Sequence, residues 1–146
     1  MRMMVIVKAS PDSEAGKLPD ADLLAEMARF NEDLVNARVL LAGEGLRPSS
    51  AGVRVRFDGD DRNVEFGPFA DTESMVAGYW IWQVKSREEA IEWLVRAPFR
   101  EAEVELRPIQ DVSDFASADP VGDLLHQEEE LGERRERIDT RPPDQL

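Results

Sequence analysis

The sequence predicts an α+β fold of the ferredoxin-like type, a βαββαβ frame with one antiparallel sheet and an inserted β-hairpin. Three observations predict it: an apolar segment at the start of the chain, two amphipathic segments of helical period, and an aromatic segment at residues 76–84. Strand and helix segments follow one another as two split βαβ units. Both helices are therefore expected on the same face of the sheet.

The first half of the chain supplies a strand, a helix and a second strand. Residues 1–8 are almost wholly apolar, as in a central strand that is buried on both faces. A loop then leads to a helix that begins at Pro19 and Asp20 and continues with an apolar stripe of helical spacing. A short strand at residues 39–42 is expected to end at the turn Gly43-Glu44-Gly45, because glycine adopts backbone conformations that other residues resist.

The second half supplies a hairpin, the strongest strand, a helix and a last strand. Residues 53–66 alternate apolar and polar side chains around a central turn, which is typical of a hairpin. Residues 76–84 carry bulky side chains on both faces of a strand. Ser86, with Glu89 three positions later, forms a capping box that opens the second helix. The last strand, at residues 102–107, alternates apolar and charged side chains and should be half exposed.

The composition favours a soluble cytoplasmic protein without nucleic-acid or membrane partners. The formal net charge is −13, from 18 basic and 31 acidic side chains, and it repels phosphate backbones and anionic lipids at long range. The chain has no cysteine, which excludes disulfides, thiol catalysis and zinc–thiolate sites. No segment approaches the roughly 18 uninterrupted apolar residues that a membrane span requires.

Residues 1–110 form the predicted domain, and residues 111–146 form an acidic C-terminal extension. The extension holds 11 acidic and 4 basic side chains, a net charge of −7, and only a thin seam of apolar residues. It is expected to be partly helical or disordered, either solvated or clasping a partner subunit, with residues 141–144 frayed. The only histidine, His126, lies there, and a solvated helix position is a better interpretation than a base or a ligand.

A homodimer is expected, because two helices hide only one face of the predicted sheet. Aromatic side chains stand on both faces of the strand at residues 76–84, so a second surface is needed to cover one of them. A second copy of the chain is the simplest cover. We expect the strand that bears Trp80 and Trp82 to be buried in that interface.

Five motifs together resemble the YCII-related domain family, in its DGPF-type branch. They are Leu41-Ala42-Gly43-Glu44-Gly45-Leu46, Gly67-Pro68-Phe69-Ala70-Asp71-Thr72, Gly78-Tyr79-Trp80, Glu89-Ala90-Ile91-Glu92-Trp93 and Val104-Glu105-Leu106-Arg107-Pro108. The resemblance covers roughly residues 1–110 and implies a dimeric α+β barrel. The second motif and the two residues after it are hereafter the elbow (residues 67–74). The polar positions of the family pattern differ here: Phe66 replaces the leading Asp, Asp71 replaces Glu, Glu73 replaces Lys and Ser74 replaces the final Glu.

The resemblance also implies that some members use a histidine on the first helix with an aspartate near the end of the second. Glu26 and Ala97 stand at these positions here, so this dyad is absent. The carboxylates Glu26, Glu44 and Asp71 remain as candidates that converge on a cleft, where desolvation raises a carboxyl pKa and prepares it as a base. The alternative is that each stays on the surface or caps a turn. No Asp-rich loop supports a metal site, and no cofactor is expected.

Phe69, Tyr79 and Arg107 complete the predicted ligand-binding set. Tyr79 either stacks on a flat ligand or belongs to the core or the dimer interface. Arg107 is suited to pair with Glu44 or with a ligand carboxylate through its forked donors. Phe69 stands at the elbow, after a proline that fixes the backbone.

Three functions are compatible with these residues, and the least specific of them is a structural scaffold formed by the dimer, with the acidic extension providing solubility. The preferred one is small-molecule binding in a cleft walled by the first helix, the Gly43-Glu44-Gly45 turn and the elbow, with or without catalysis. The alternative is a regulatory or interaction protein, because DGPF-type relatives are linked to extracytoplasmic-function sigma factors and hence to transcription initiation. That role would not involve direct contact with DNA.

Overall fold

The computed structural model describes residues 1–115, 118 and 122–139, and the chain divides into two units, Met1–Ile109 and Gln110–Leu146. The strands of the first unit are β1 (Arg2–Lys8), β2 (Leu40–Gly45), β3 (Val53–Asp58), β4 (Asp61–Phe66), β5 (Val76–Gln83) and β6 (Val104–Pro108). Its helices are α1 (Pro11–Glu14), α2 (Ala21–Asn36) and α3 (Arg87–Leu94). The α+β class with antiparallel sheets is confirmed.

The main sheet has four strands in the order β2-β5-β1-β6, and every neighbouring pair is antiparallel. This is the order of a ferredoxin-like frame in which β3 and β4 are inserted between the second and third strands. The inserted strands form a two-stranded sheet of their own. Each of the six predicted strands is present, and α1 is an additional single turn that the sequence pattern did not indicate.

The core lies between one face of the main sheet and the helices α2 and α3. Trp80 and Trp82 of β5 are buried on this face, and Trp82 has no exposed surface. Phe30 of α2 meets both indole rings edge-on, with centroid distances of 6.0 and 6.4 Å. Asn31 also holds Trp80, because its Oδ1 accepts a hydrogen bond of 3.1 Å from the indole Nε1. The expectation that the tryptophans form a dimer interface is therefore wrong, because the subunit's own helices cover them.

The opposite face of the main sheet, hereafter the open face, carries the alternate side chains of the same strands. Its apolar residues are Met4 and Ile6 of β1 and Tyr79 and Ile81 of β5. All four are half-buried, and none belongs to the hydrophobic cluster that α2 and α3 cover. Tyr79 is thus the aromatic residue of β5 that lies outside this cluster, while Trp80 and Trp82 belong to it.

The predicted turn at Gly43-Glu44-Gly45 is wrong, because both glycines lie inside β2 and pair with β5. Gly43 lies opposite Trp80, and a Cβ atom added there would stand 2.4 Å from Cδ1 of that indole. The glycine is thus required by a close approach of a large side chain and not by a turn.

Helices α2 and α3 begin at the N-cap residues that the sequence predicts. The Asp20 carboxylate accepts the Leu23 N–H at the start of α2 (2.8 Å), and the Ser86 hydroxyl accepts the Glu89 N–H at the start of α3 (3.1 Å). The Glu89 carboxylate accepts the N–H of Lys85 at 2.6 Å, one residue earlier than a standard capping box. These contacts fix α2 and α3 over the core face.

The second unit contains helix α4 (Asp123–Asp139). His126 is exposed on it, with Nε2 3.6 Å from Oε1 of Glu130 one turn later. The segment 141–144, predicted to be frayed, lies outside the described residues. Across the described part of the chain, no helix combines the length and apolar character that crossing a membrane needs.

Candidate functional site

A groove of about 310 Å³ lies between α2 and α3 in the first unit. Its lining residues are Glu26, Arg29, Phe30 and Asp33 from α2, and Trp93, Arg96 and Pro98 from α3 and the segment after it. Arg29, Phe30 and Asp33 stand three, four and seven positions after Glu26, so these four residues share one side of α2. The groove therefore follows one side of α2 along its length.

The floor of the groove is aromatic. Phe30 is almost fully buried, and its ring meets that of Trp93 edge-on at a centroid distance of 6.5 Å. The Arg96 guanidinium carbon lies 3.8 Å from the Trp93 ring centroid, within the range of a cation–π contact. A planar cation thus stands beside an aromatic floor.

The rim of the groove carries charges of both signs. Glu26 pairs with Arg100, with 3.5 Å between Oε1 and Nη2, and both side chains are partly exposed. Arg29, Asp33 and Arg96 make no ion pair within 4 Å in the described part of the chain. Two guanidinium groups and one carboxylate at the rim are therefore without a charged protein partner among the described residues.

Of the predicted site residues, only Glu26 lines this groove. Glu44 of β2 lies directly opposite Tyr79 of β5, and both belong to the open face, since their neighbours Gly43 and Trp80 face the helices. The sheet thus separates Glu26 from Glu44 and Tyr79. The predicted cleft that joins all three is not formed within the first unit.

The elbow is bound to the turn at Ser49. The Phe69 N–H donates a hydrogen bond of 3.1 Å to Ser49 Oγ, which in turn contacts the Glu14 carboxylate. Glu14 also accepts the Ser49 N–H, at 3.1 and 3.2 Å to its two oxygens. The Arg54 guanidinium lies 3.9 Å from the Phe69 ring centroid. Phe69 is thus fixed by structural contacts and is not part of the groove lining.

Asp71 lies in the second half of the elbow with an exposed side chain, just before the short turn Thr72–Ser74. Its backbone carbonyl accepts a hydrogen bond of 3.1 Å from Ser74 Oγ. In the described part of the chain, Asp71 does not line the groove and makes no hydrogen bond or ion pair with Glu44. It remains a candidate by prediction only.

Arg107 pairs with Glu105 and not with Glu44. Its Nη1 lies 3.0 Å from Glu105 Oε1, and Lys8 Nζ lies 3.4 Å from Oε2 of the same carboxylate. Glu44 and Arg107 belong to β2 and β6, the two opposite edges of the main sheet, with two strands between them. The Arg107 hydrogen bond, followed by the effect of Lys8, holds the pKa of Glu105 below its ordinary value of 4.5.

The lowered pKa of Glu105 predicts a small contribution to stability that depends on pH. Because the pKa is depressed in the folded state, the contribution is present above the unfolded value of 4.5 and is lost as pH falls through the folded value. Glu105→Gln should therefore lose less stability than the wild type between neutral pH and about pH 3. Urea unfolding across this range measures the difference. Glu103→Gln, at an exposed acid without a recorded ion pair, should follow the wild type; equal curves for all three proteins would contradict the prediction.

The sequence model of the YCII-related domain family matches residues 1–121. The chain belongs to this family. Its α+β fold with antiparallel sheets agrees with the resemblance that the five motifs indicated. No curated protein matches the YCII-related chain closely enough to be counted as a relative.

Two solved structures resemble the YCII-related chain remotely. The 5-chloro-2-hydroxyhydroquinone dehydrochlorinase of Burkholderia phenoliruptrix AC1100, in complex with 2,5-dihydroxybenzoquinone, is 16% identical, with a TM-score of 0.39 over 76% of this chain and 96% of that chain. The stable protein CutA1 of the psychrotrophic bacterium Shewanella sp. SIB1 is 17% identical, with a TM-score of 0.34 over 75% and 81%. Neither similarity assigns a ligand or a reaction to the YCII-related chain.

Sequence reasoning did not assign six of the seven groove residues to a site: Arg29, Phe30, Asp33, Trp93, Arg96 and Pro98. A signal for two of them was available, because Arg29 and Asp33 stand three and seven positions after Glu26 and so share its side of the helix. Trp93 and Arg96 come from another helix, and only the packing of α3 beside α2 brings them near. In the described residues, no group of three or more His, Asp or Glu side chains could hold a metal ion.

Proposed function

We propose that this YCII-related protein binds a small organic acid with a flat ring in the groove between α2 and α3. The observation that carries the proposal is the pair Arg96 and Trp93, which places a guanidinium group directly over an aromatic ring, with no acid partner for it among the described residues. A ligand with a planar apolar part and a carboxylate fits both features. Arg29 stands at the same rim and adds a second donor group.

The chemistry of the groove suits this ligand class. A guanidinium group presents planar, paired donors that match the two oxygens of a carboxylate. The partly exposed Trp93 offers apolar ring surface, on which flat molecules pack well, and the buried Phe30 supports that ring edge-on. The volume of about 310 Å³ lies at the small end of ligand-binding pockets, which favours a compact molecule. Asp33 is free to accept a hydroxyl or amine hydrogen of the ligand.

The proposal is limited to binding and does not include a reaction. Of the three carboxylates predicted to cooperate, only Glu26 lines the groove, and it is already paired with Arg100. The second acid that lines the groove is Asp33, seven residues and about two turns further along α2. Glu26 and Asp33 are therefore assigned to ligand orientation, by hydrogen bonds that they accept.

We further propose that the protein is a homodimer joined through the open face. Its four apolar side chains, Met4, Ile6, Tyr79 and Ile81, leave a half-buried apolar centre that the subunit's own core does not include. The β2 edge of this face carries Glu44, while the opposite side carries Glu105 and Arg107 of β6 and Lys8 of the neighbouring β1, a net charge of one positive. A twofold axis parallel to the strands lays the β2 edge of one copy over the β6 edge of the other, so the charges are complementary.

The ligand proposal predicts that Arg96→Ala weakens binding of a ring carboxylate by about tenfold or more, because a hydrogen bond to a charged group is lost. Benzoate is a suitable probe, with cyclohexanecarboxylate as its puckered counterpart, and benzoate should bind more tightly because its ring stacks. Calorimetric titration gives the dissociation constants. The Trp93 indole resonance in a nitrogen–proton spectrum reports the location.

The matched control is Arg87→Ala, which removes an arginine from the start of α3 and outside the groove lining. It should bind benzoate as the wild type does. An equal loss of benzoate affinity in both variants would contradict the ligand proposal. A Trp93 resonance that does not shift when benzoate is added would contradict it as well.

A further inference from the structure

The hairpin formed by β3 and β4, hereafter the arm, is a two-stranded sheet of its own within the first unit. It stands between β2 and β5 in the sequence. Its strands pair from Val53 opposite Phe66 to Asp58 opposite Asp61. A hydrogen bond of 3.0 Å from the Gly67 N–H to the Gly52 carbonyl closes its base. Each strand has six residues and so extends roughly 20 Å. The arm is therefore long enough to reach over a neighbouring subunit.

One face of the arm is apolar and the other is polar. Because residues that lie opposite each other in an antiparallel pair share a face, the register puts five large apolar side chains on one side. These are Val53, Val55, Phe57, Val64 and Phe66, and they are between 46% and 75% exposed. The sixth residue of this face is Arg62, whose guanidinium carbon lies 4.6 Å from the Phe57 ring centroid at the tip of the hairpin. The other side carries an ion pair of 3.5 Å between Arg56 and Glu65. The arm is thus amphipathic, with its apolar face in water.

Such a face requires a cover. A two-stranded hairpin alone is marginally stable in water, and it needs packing on its apolar side to be well ordered. Contiguous exposed apolar patches of about 300–600 Å² are usually the largest that a soluble monomer shows, and they commonly mark a binding surface. None of the five side chains belongs to the hydrophobic cluster of the first unit, so that core does not supply the cover.

We propose that the apolar face of the arm packs against a second copy of this chain, as part of the interface of the homodimer. The inference rests on the dimer proposed above and extends it to a surface outside the main sheet. A stable interface buries about 800 Å² on each partner, and the open face offers only four apolar side chains, which are already half-buried. The five exposed side chains of the arm supply the apolar area that the open face lacks. In a twofold dimer each copy gives one arm and receives one, so both apolar faces are covered.

Adjacent residues on β4 provide a matched pair of variants. Val64→Glu puts a carboxylate on the apolar face, and Asn63→Glu puts the same charge on the polar face one position away. Sedimentation equilibrium should show at least a 100-fold rise in the dimer dissociation constant for Val64→Glu. Asn63→Glu should stay within about threefold of the wild type, since a surface charge away from an interface has little effect.

A second measurement does not depend on a disruptive substitution. The chain has no cysteine, so Val55→Cys and Asn63→Cys each carry a single thiol. Maleimide should modify Val55→Cys at least tenfold more slowly at a concentration where the protein is dimeric than at one where it is monomeric. Asn63→Cys should react equally fast at both concentrations.

The outcomes separate the two proposals. A wild-type dimer whose dissociation constant is unchanged by Val64→Glu, with an unprotected Val55→Cys thiol, would overturn the arm contact and leave the dimer through the open face intact. A wild-type protein that stays monomeric at all concentrations would overturn both. Weakening by Val64→Glu but not by Asn63→Glu, together with protection of Val55→Cys, would support the arm contact.

Discussion

Gly67→Ala is expected to lower the free energy of unfolding by about 3 kcal/mol, at the upper end of the usual cost of overpacking. A Cβ atom on Gly67 would stand 1.8 Å from the Ser49 carbonyl oxygen and 2.7 Å from its carbon. Both are backbone atoms and cannot rotate away as a side chain would. The Ser49 backbone is held in place by its N–H bonds to the Glu14 carboxylate, so the turn cannot retreat without breaking them.

Thermal unfolding measures this effect, and a loss of about 3 kcal/mol corresponds to a fall in Tm of about 10 °C for a chain of this size. Gly45→Ala is the control, because Gly45 has no atom within 4 Å of an added Cβ and lies in a strand, where alanine is tolerated. Its Tm should change little. If the two variants melt together, the contact with Ser49 is not the reason for glycine at position 67.

The expected result also assigns a role to the elbow. The sequence pattern favoured a loop that lines or gates a pocket, but Phe69 and Gly67 make their contacts with the turn at Ser49. An elbow fixed through two backbone contacts and the Glu14 carboxylate is an anchor at the base of the arm. Its glycine is explained by the fold before any ligand is considered.

The main elements of the fold could be predicted because their signals are local. The periodicity of α2, the caps of α2 and α3, and the apolar segments of β1 and β5 each depend on residues near one another in the chain. The face on which Trp80 and Trp82 lie could not be predicted. A strand that is bulky on both faces has no alternation in its sequence, so only the packing of the helices decides which aromatics become core.

The position of Glu44 shows a second limit of the sequence. The register between β2 and β5 shifts between Leu40 and Ala42, where a bulge adds one residue to β2. Without that extra residue, strict alternation would place Glu44 on the same face as Leu40, toward the helices and Glu26. The one-residue bulge therefore moves Glu44 to the open face, away from Glu26, and the predicted cleft is not formed. No residue pattern in this stretch distinguishes the bulge from regular pairing.

Ile81→Glu is expected to convert the proposed homodimer to a folded monomer, because the open face would have to bury a carboxylate without a partner. An unpaired charge inside an interface typically costs about 2–5 kcal/mol of binding free energy. This raises the dissociation constant by about 30-fold or more. Ile81 is half-buried within its own subunit, so the monomer should tolerate the change. Sedimentation velocity at micromolar concentration measures the association state, and circular dichroism checks that the fold is retained.

Two comparisons distinguish an interface from a core. Leu24→Glu adds the same charge at an exposed position of α2 and should leave the dimer unchanged. Trp80→Arg should instead unfold the subunit, because its indole is buried against Phe30 and bonded to Asn31 within one chain. A wild-type protein that sediments as a monomer, or an Ile81→Glu variant as dimeric as Leu24→Glu, would exclude the open face as the interface. Folded monomeric Trp80→Arg would mean that the helices do not cover β5 as described, since only a tryptophan outside the core can be exchanged for a charge at so little cost.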